Sequence, residues 1–299
     1  MNGIVNYLKP PGITSHDAVM DIKRLLGERK VGHGGTLDPA AAGVLPVTVG
    51  RATRLFDFLL ETDKEYVGEM LLGVATDTLD TCGKVLQRDC RIPPAGRIAE
   101  RMAVLTGELM QAPPMYSAVR VGGKRLYQFA RKGETARVEP RRVTVRAFEF
   151  IEMTGRDRVR FRVVCTRGTY IRSLISDLGG ALGCGACLSL LVRTRAGGFY
   201  IGDAHTFEQV REAFQSGRVE GFLVPPDRPL ARYPALRFPK EAEAPLRNGA
   251  FIPLAMAGAD AASLPDAPVR LYCEEAFIGV GSVVCAPEEE LVRVRRLLT

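Results

Sequence analysis

Apolar residues recur along this chain with two spacings. Between residues 15 and 26, Val19, Ile22, Leu25 and Leu26 fall three or four apart, the spacing of one helix face. Thr14 or Ser15 stands where a cap is needed, and Gly27 can close the helix. Ile171, Leu174, Ile175 and Leu178 form a second stripe, with Thr169 expected as its cap and Gly179-Gly180 as its stop. Residues 51–60 and 95–105 predict two more helices. Residues 3–8, 64–73, 143–153, 158–166 and 188–194 read as strands, the third and fourth paired around the turn Thr154-Gly155-Arg156-Asp157. In the fourth, Val159, Phe161, Val163 and Cys165 alternate with Arg158, Arg160 and Arg162, predicting one core face and one cationic face. Residues 76–83 read as a loop. The proline-rich residues 222–234 are the best linker candidate. Beyond them, apolar runs at 250–254, 269–273, 277–284 and 291–298 predict a small all-β barrel of about 60–65 residues, marginal in size by itself.

Two stretches follow neither spacing. Residues 111–142 hold Pro113-Pro114-Met115-Tyr116-Ser117, Gly122-Gly123-Lys124-Arg125-Leu126-Tyr127 and Arg131-Lys132-Gly133. A long irregular segment inside a compact domain is uncommon unless it has a function. Tyr116, Tyr127 and Phe129 lie among its cations, and RNA is held by such a mixture, rings on bases and cations on phosphates. A solvated basic face with locally packed tyrosines accounts for the same composition equally well.

The other stretch is Gly32-His33-Gly34-Gly35-Thr36-Leu37-Asp38-Pro39. Glycines admit positive φ and close approach of a ligand. Pro39 stiffens the turn and biases Asp38 towards extended backbone. A carboxylate on such a loop suits nucleophilic or electrostatic catalysis, while a capped tight turn explains the residues without chemistry. No Gly-Lys-Ser/Thr follows, which removes a nucleotide-binding P-loop.

Composition narrows the partners. The chain has 299 residues, 46% hydrophobic and 25% charged, enough for a sizeable core and for two domains. No apolar run approaches the ~18 residues of a membrane-spanning helix, so no membrane partner is expected. The opening residues lack the features of a signal peptide, and a cytoplasmic protein is expected. Net charge is +7, and residues 115–146 alone hold nine Lys or Arg against two Glu, which points to a polyanionic partner. Arg172, in the first turn of its helix, opposes the helix dipole, so an anionic partner explains it better than helix stability does. The cysteines are Cys82, Cys90, Cys165, Cys184, Cys187, Cys273 and Cys285. Cys184 and Cys187 have metal-pair spacing but no second pair, and no histidine is near them. No metal site is expected, and the thiols are expected to be reduced and buried.

Five motifs in order are similar to those of the bacterial tRNA pseudouridine-55 synthases, the TruB family. They are Lys9-Pro10-Pro11-Gly12-Ile13-Thr14-Ser15; residues 32–39 with Gly43; Lys64-Glu65-Tyr66; residues 113–119 with Gly123-Lys124-Arg125-Leu126-Tyr127; and Gly168-Thr169-Tyr170-Ile171-Arg172. Leu246-Arg247-Asn248-Gly249 and Phe277-Ile278-Gly279-Val280-Gly281 more weakly resemble the small PUA domain that such enzymes carry. The resemblance implies an α+β fold: a mixed, largely antiparallel sheet flanked by helices, an RNA-binding insertion and a C-terminal all-β PUA-like barrel. The implied division is a catalytic domain at residues 1–230, with its insertion at about 111–142, and a PUA-like domain at 235–299.

The implied reaction converts the T-loop uridine of tRNA to pseudouridine with no cofactor or metal. Asp38 would be the catalytic carboxylate, attacking the ribose anomeric carbon or, in the alternative, the base. Tyr66 would stack on the target base and is a candidate for proton removal. Arg172 would pair with Asp38, keeping it ionised and aimed. Tyr170 would be a second aromatic of the site, Leu191 a pocket wall, and His33 would help fill the space left when bases leave their stack. Lys9, Tyr116, Lys124 and Arg125 are expected to contact RNA. The expected partner is the T-arm of tRNA, bound by a monomer with no obligatory protein partner. A non-catalytic RNA-binding or RNA-chaperone protein is the alternative that basicity leaves open, and a guide-RNA-dependent synthase the one that shared catalytic motifs leave open.

Overall fold

The computed structural model describes the chain apart from Glu61, Thr62, Cys90, Arg137, Glu288 and Thr299, and the side chain of Leu60. Strand β1 (Gly3–Lys9) leads to helix α1 (Ser15–Leu26), a short β2 (Val31–His33) and β3 (Ala42–Val49). Thr14 caps α1: its hydroxyl accepts from the Asp17 N–H while the Asp17 carboxylate accepts from the Thr14 N–H, and Gly27 closes the helix at φ 65°. A 3₁₀ turn at Gly50–Leu55 takes half of the helix expected over 51–60, leaving α2 (Phe56–Leu60). Strands β4 (Lys64–Leu72), β5 (Val74–Thr76) and β6 (Val85–Arg88), helix α3 (Ala95–Val104) and β7 (Gly107–Gln111) follow. The basic segment contains a hairpin, β8 (Arg120–Val121) and β9 (Lys124–Arg125), and then α4 (Leu126–Ala130). Next come β10 (Arg141–Met153), β11 (Arg158–Cys165), α5 (Ile171–Leu182), β12 (Ala186–Ala196), β13 (Phe199–Tyr200), α6 (Phe207–Gln215) and β14 (Leu223–Val224).

Ten strands form one sheet, ordered β14-β1-β3-β12-β4-β11-β10-β7, with β2 beside β3 and β13 beside β12. All its pairings are antiparallel except β12 with β3, where Arg193 lies opposite Gly43. There Gly43 has φ 110°, and a Cβ on it would come 2.3 Å from the Arg193 carbonyl oxygen, so only glycine lets the two strands meet. Alternation along the strands gives the sheet two apolar faces. Val5, Tyr7, Leu45, Val47, Tyr66 and Met70 share a core with α1, α3, α5 and α6, whereas Ile4, Val44 and Ala196 point the other way into a second core.

That second core is shared with the carboxyl-terminal elements: β15 (Ala235–Phe238), α7 (Glu243–Arg247), β16 (Ile252–Pro253), β17 (Val269–Cys273), β18 (Ala276–Cys285) and β19 (Glu290–Leu297). They build a five-stranded sheet, β15-β17-β18-β19-β16, around a core of their own. Both β15 and α7 lie outside the runs read from the sequence. Residues 222–234 are no loose linker. Phe222 and Leu230 are buried, β14 pairs with β1, and Tyr233 packs edge-on against Phe58.

Two further expectations change. The outward face of β11 is cationic in sequence but paired in structure: Arg158 meets Glu69, Arg160 meets Glu152, and Arg162 meets both Glu65 and Glu149. Among the described cysteines, Cys165, Cys184, Cys187 and Cys273 are buried and free, but Cys82 and Cys285 are exposed; Cys90 lies outside the described residues.

Candidate active site

Asp38 sits on a loop fastened from several directions. Gly32 belongs to β2, and of the three glycines only Gly35 takes a left-handed backbone, φ 96°. The Gly34 N–H is bonded to the Pro46 carbonyl at 2.7 Å. Arg193, fully buried, donates to the carbonyls of Gly35 at 3.1 Å, Thr36 at 3.5 Å and Val44 at 2.7 Å. Ser15, the first residue of α1, brackets Leu37: its hydroxyl donates to the Leu37 carbonyl and accepts from the Leu37 N–H. Beyond Asp38, the Pro39 carbonyl accepts from the Gly12 N–H at 2.8 Å and from the Lys9 ammonium at 3.3 Å. A reacting group held this firmly loses little to reorganisation during chemistry.

The carboxylate meets Arg172 in a two-pronged pair, Nε to Oδ2 at 2.8 Å and Nη2 to Oδ1 at 3.1 Å. Arg172 is 5% exposed while Asp38 keeps 40% of its side chain open. The carboxylate is therefore aimed yet reachable. Arg172 also donates to the carbonyls of Thr78 at 2.9 Å and Tyr116 at 3.0 Å, and stands 3.8 Å from Asp80. One guanidinium thus ties three loops to α5. The expected cap of α5 is replaced. Thr169 donates to the Thr166 carbonyl, and Tyr170 is the N-cap, its N–H and carbonyl both taken by the Gln111 side-chain amide at 2.7 and 3.1 Å.

Asp38 opens on a cleft of about 370 Å³ that Lys64, Tyr66, Ser117, Tyr170, Arg172 and Leu191 also line. Tyr66 and Leu191 are buried, at adjacent strands β4 and β12. Burial raises the phenols of Tyr66 and Tyr170 above the ordinary tyrosine range, so both hydroxyls are protonated at neutral pH. The site combines an accessible anion, a buried cation and two aromatic rings.

The structure thus brings Asp38, Tyr66, Tyr170, Arg172 and Leu191 together and puts the backbone of Tyr116 behind Arg172. His33 lies on β2 opposite Val47, outside the cleft lining; burial lowers its pKa, and its buried Nδ1 has no hydrogen-bond partner among the described residues. Lys124 and Arg125 are exposed on the hairpin, where the guanidinium of Arg125 lies 5.9 Å from the Tyr127 ring centre. Lys9 is a correction. It is fully buried, its ammonium bonded to the carbonyls of Pro10, Ile13 and Pro39, so it holds the loop and cannot reach RNA. Lys64 and Ser15 stand within the motifs but carry no expected role at the site, and Arg193, Gln111 and Asp80 were not singled out in the sequence. A signal existed for two of them: Lys64 is two residues from Tyr66 on one strand face, and Arg193 is a charge on an inward position two residues from Leu191.

Comparison with known proteins gives the same picture. Residues 23–171 match the model of the TruB family pseudouridylate synthase N-terminal domain, and residues 172–231 that of the tRNA pseudouridylate synthase B C-terminal domain. Proteins named tRNA pseudouridine synthase B are similar over most of the chain. That of Pelotomaculum thermopropionicum is 46% identical, covering 78% of this chain and 76% of the relative; that of Moorella thermoacetica is 46% identical, covering 84% and 83%. That of Caldanaerobacter subterraneus subsp. tengcongensis is 38% identical over 99% of both. Among solved structures, a chain of a Cbf5-Nop10-Gar1 complex superposes with a TM-score of 0.76 at 31% identity, covering 99% of this chain and 85% of that one. A chain of an H/ACA RNP bound to a substrate RNA containing 2'-deoxyuridine gives 0.75 at 28%, with the same coverage. The chain belongs to the TruB family of pseudouridine synthases.

Proposed function

We propose that the protein isomerises a uridine of tRNA to pseudouridine, that the target is the T-loop uridine at position 55, and that Asp38 is the catalytic carboxylate. The observation that carries this is Asp38 itself: clamped by its loop, paired two-pronged with a buried arginine, and still open to a cleft. The N-glycosidic bond breaks, the base turns, and its carbon bonds to the same ribose carbon; the proton leaving that base carbon is balanced by one gained at the ring nitrogen. Asp38 attacks either the ribose anomeric carbon or the base. The uridine leaves its stack to reach it, at a cost of a few kcal/mol, and Tyr66 and Tyr170 supply replacement stacking. With its phenol raised by burial, Tyr66 suits stacking and hydrogen-bond donation better than proton removal at neutral pH. The exposed hairpin of Lys124 and Arg125 contacts the T-arm. The 235–299 unit is a PUA-like RNA-binding domain and the 1–230 unit the catalytic one.

The test uses purified protein and a T-arm stem-loop with nothing else added, assayed for pseudouridine. Wild type turns over and Asp38→Asn loses on the order of 10⁴-fold or more. Turnover by the Asn variant near the wild-type rate would falsify the assignment of Asp38. Turnover that appears only when a guide RNA is added favours the reading suggested by the H/ACA neighbours, and binding without turnover by wild type leaves an RNA-binding protein.

A further inference from the structure

Two lysines are buried near the cleft, and they differ in their partners. Lys9 has three carbonyl acceptors. Lys64 is 8% exposed and lines the cleft, yet among the described residues it makes no hydrogen bond and no ion pair. A buried cation with no internal partner is costly to keep. Burial and like charges outweigh the one carboxylate that favours it, Asp63. Arg193 approaches from β12 and Arg167 from the loop after β11. Cys165 lies opposite it on β11, its thiol pushed up to about 11 by burial and so uncharged. Asp63, just before β4, stands 3.5 Å from Arg146. Arg167 and Gly168 are exposed, line the same cleft, and lead into the amino end of α5, a twelve-residue helix whose dipole favours an anion.

We propose that Lys64, Arg167 and the amino end of α5 form a phosphate subsite in the cleft, taking one phosphodiester beside the nucleotide that faces Asp38. The proposal rests on the reading of this protein as an enzyme of RNA. It explains why a lysine is kept where, among the described residues, no side chain pairs with it and only Asp63 attracts it from a distance: the counter-charge arrives with the substrate. Because burial pushes the free ammonium down to about 8, the subsite also titrates in an accessible range. The charged form binds phosphate, so the contact is present below about pH 8 and weakens as pH rises through it.

Binding of a T-arm stem-loop by full-length wild type, Lys64→Met and Lys64→Arg is measured against salt and pH, alongside the kcat and KM of pseudouridine formation by each. Lys64→Met is expected to bind about ten-fold more weakly and to lower the salt slope by about 0.7–0.9, the value of one neutralised phosphate. The weakening of wild type near pH 8 is absent from Lys64→Met and moves to higher pH in Lys64→Arg. A scan of single methylphosphonates across the loop finds one position that weakens wild type and leaves Lys64→Met unchanged. An unchanged slope in a folded Lys64→Met overturns the proposal. So does a loss confined to kcat, which would place Lys64 against the anion of the departing base rather than a phosphate. Failure of wild type to form pseudouridine refutes the proposed function instead, and the binding data remain separately readable.

Discussion

Around the cleft, Arg172 and Arg193 are 5% and 0% exposed, and their guanidinium groups meet backbone carbonyls and, from Arg172, the carboxylates of Asp38 and Asp80. On the outward face of β11, Arg158, Arg160 and Arg162 are about a third to a half exposed and meet glutamates across neighbouring strands. The residue type is the same, but the two settings ask different things of it. A carbonyl cannot follow a displaced guanidinium, because it belongs to a loop whose course the bond helps define. A surface glutamate can swing, or be replaced by water and salt. Charges around the cleft therefore encode shape, and those on the outer face encode little beyond solubility and local pairing. Substitutions in both regions test this contrast.

Arg172→Lys should be the most damaging of them. The charge survives, but one ammonium cannot replace a fork that meets both Asp38 oxygens and two carbonyls. The expected loss in kcat is about 10²–10³-fold, and it should exceed any change in RNA affinity. If lysine restores near wild-type turnover, charge alone matters and the shape argument fails for this position.

Arg193→Met should come next. It removes the bonds to Gly35, Thr36 and Val44 and the contact with the Tyr66 hydroxyl, so Asp38 stays present but the loop and ring around it are less well placed. Misplacement by about 1 Å can cost on the order of 10²-fold in rate. The check is a kcat against KM split at a temperature where circular dichroism shows the variant folded. An equal fall in RNA affinity with kcat intact would mean that Arg193 shapes the binding surface instead.

A third region, the hairpin at Lys124 and Arg125, shares exposure with the outer face but has, among the described residues, no carboxylate partner of the kind found there. Lys124→Ala/Arg125→Ala should weaken T-arm binding and lower the salt slope by about 1–2, since each phosphate left without its cation accounts for about one unit or slightly less. An unchanged slope returns the segment to a solvated basic face.

The contrast also explains what could be read from the sequence. The strand alternation, the α1 and α5 stripes, and the Asp38 loop with its Tyr66, Tyr170 and Arg172 partners are local or motif-borne, and they were legible. Arg193 was not, because its acceptors are about 150 residues away and an inward arginine has no local signature. Lys9 was misread for a related reason: a lysine beside a glycine turn looks like a phosphate ligand until the turn is seen to fold over it. Thr169 lost the cap to Tyr170 because Gln111, from a distant strand, takes both backbone groups of Tyr170. The cationic face of β11 was neutralised by glutamates on β4 and β10, which alternation within one strand cannot reveal.

The smallest effect belongs to that face. Arg160 and Glu152 lie directly opposite each other on β11 and β10, 2.6 Å apart and each about half exposed. Geometry this close would suggest a strong bond, but exposure decides. Water and salt screen the pair, and ordering two long side chains offsets most of the attraction, leaving about 0.2–1 kcal/mol. Arg160→Ala should therefore lower Tm by no more than about 3 °C at low salt. The difference should shrink further at about 1 M salt, where screening acts within a few ångström. Pseudouridine formation should be unaffected, since the residue lies outside the cleft and its loops. A loss of stability that persists at high salt would show that this ladder contributes packing as well as charge, and the distinction between the two sets of arginines would narrow to one of degree.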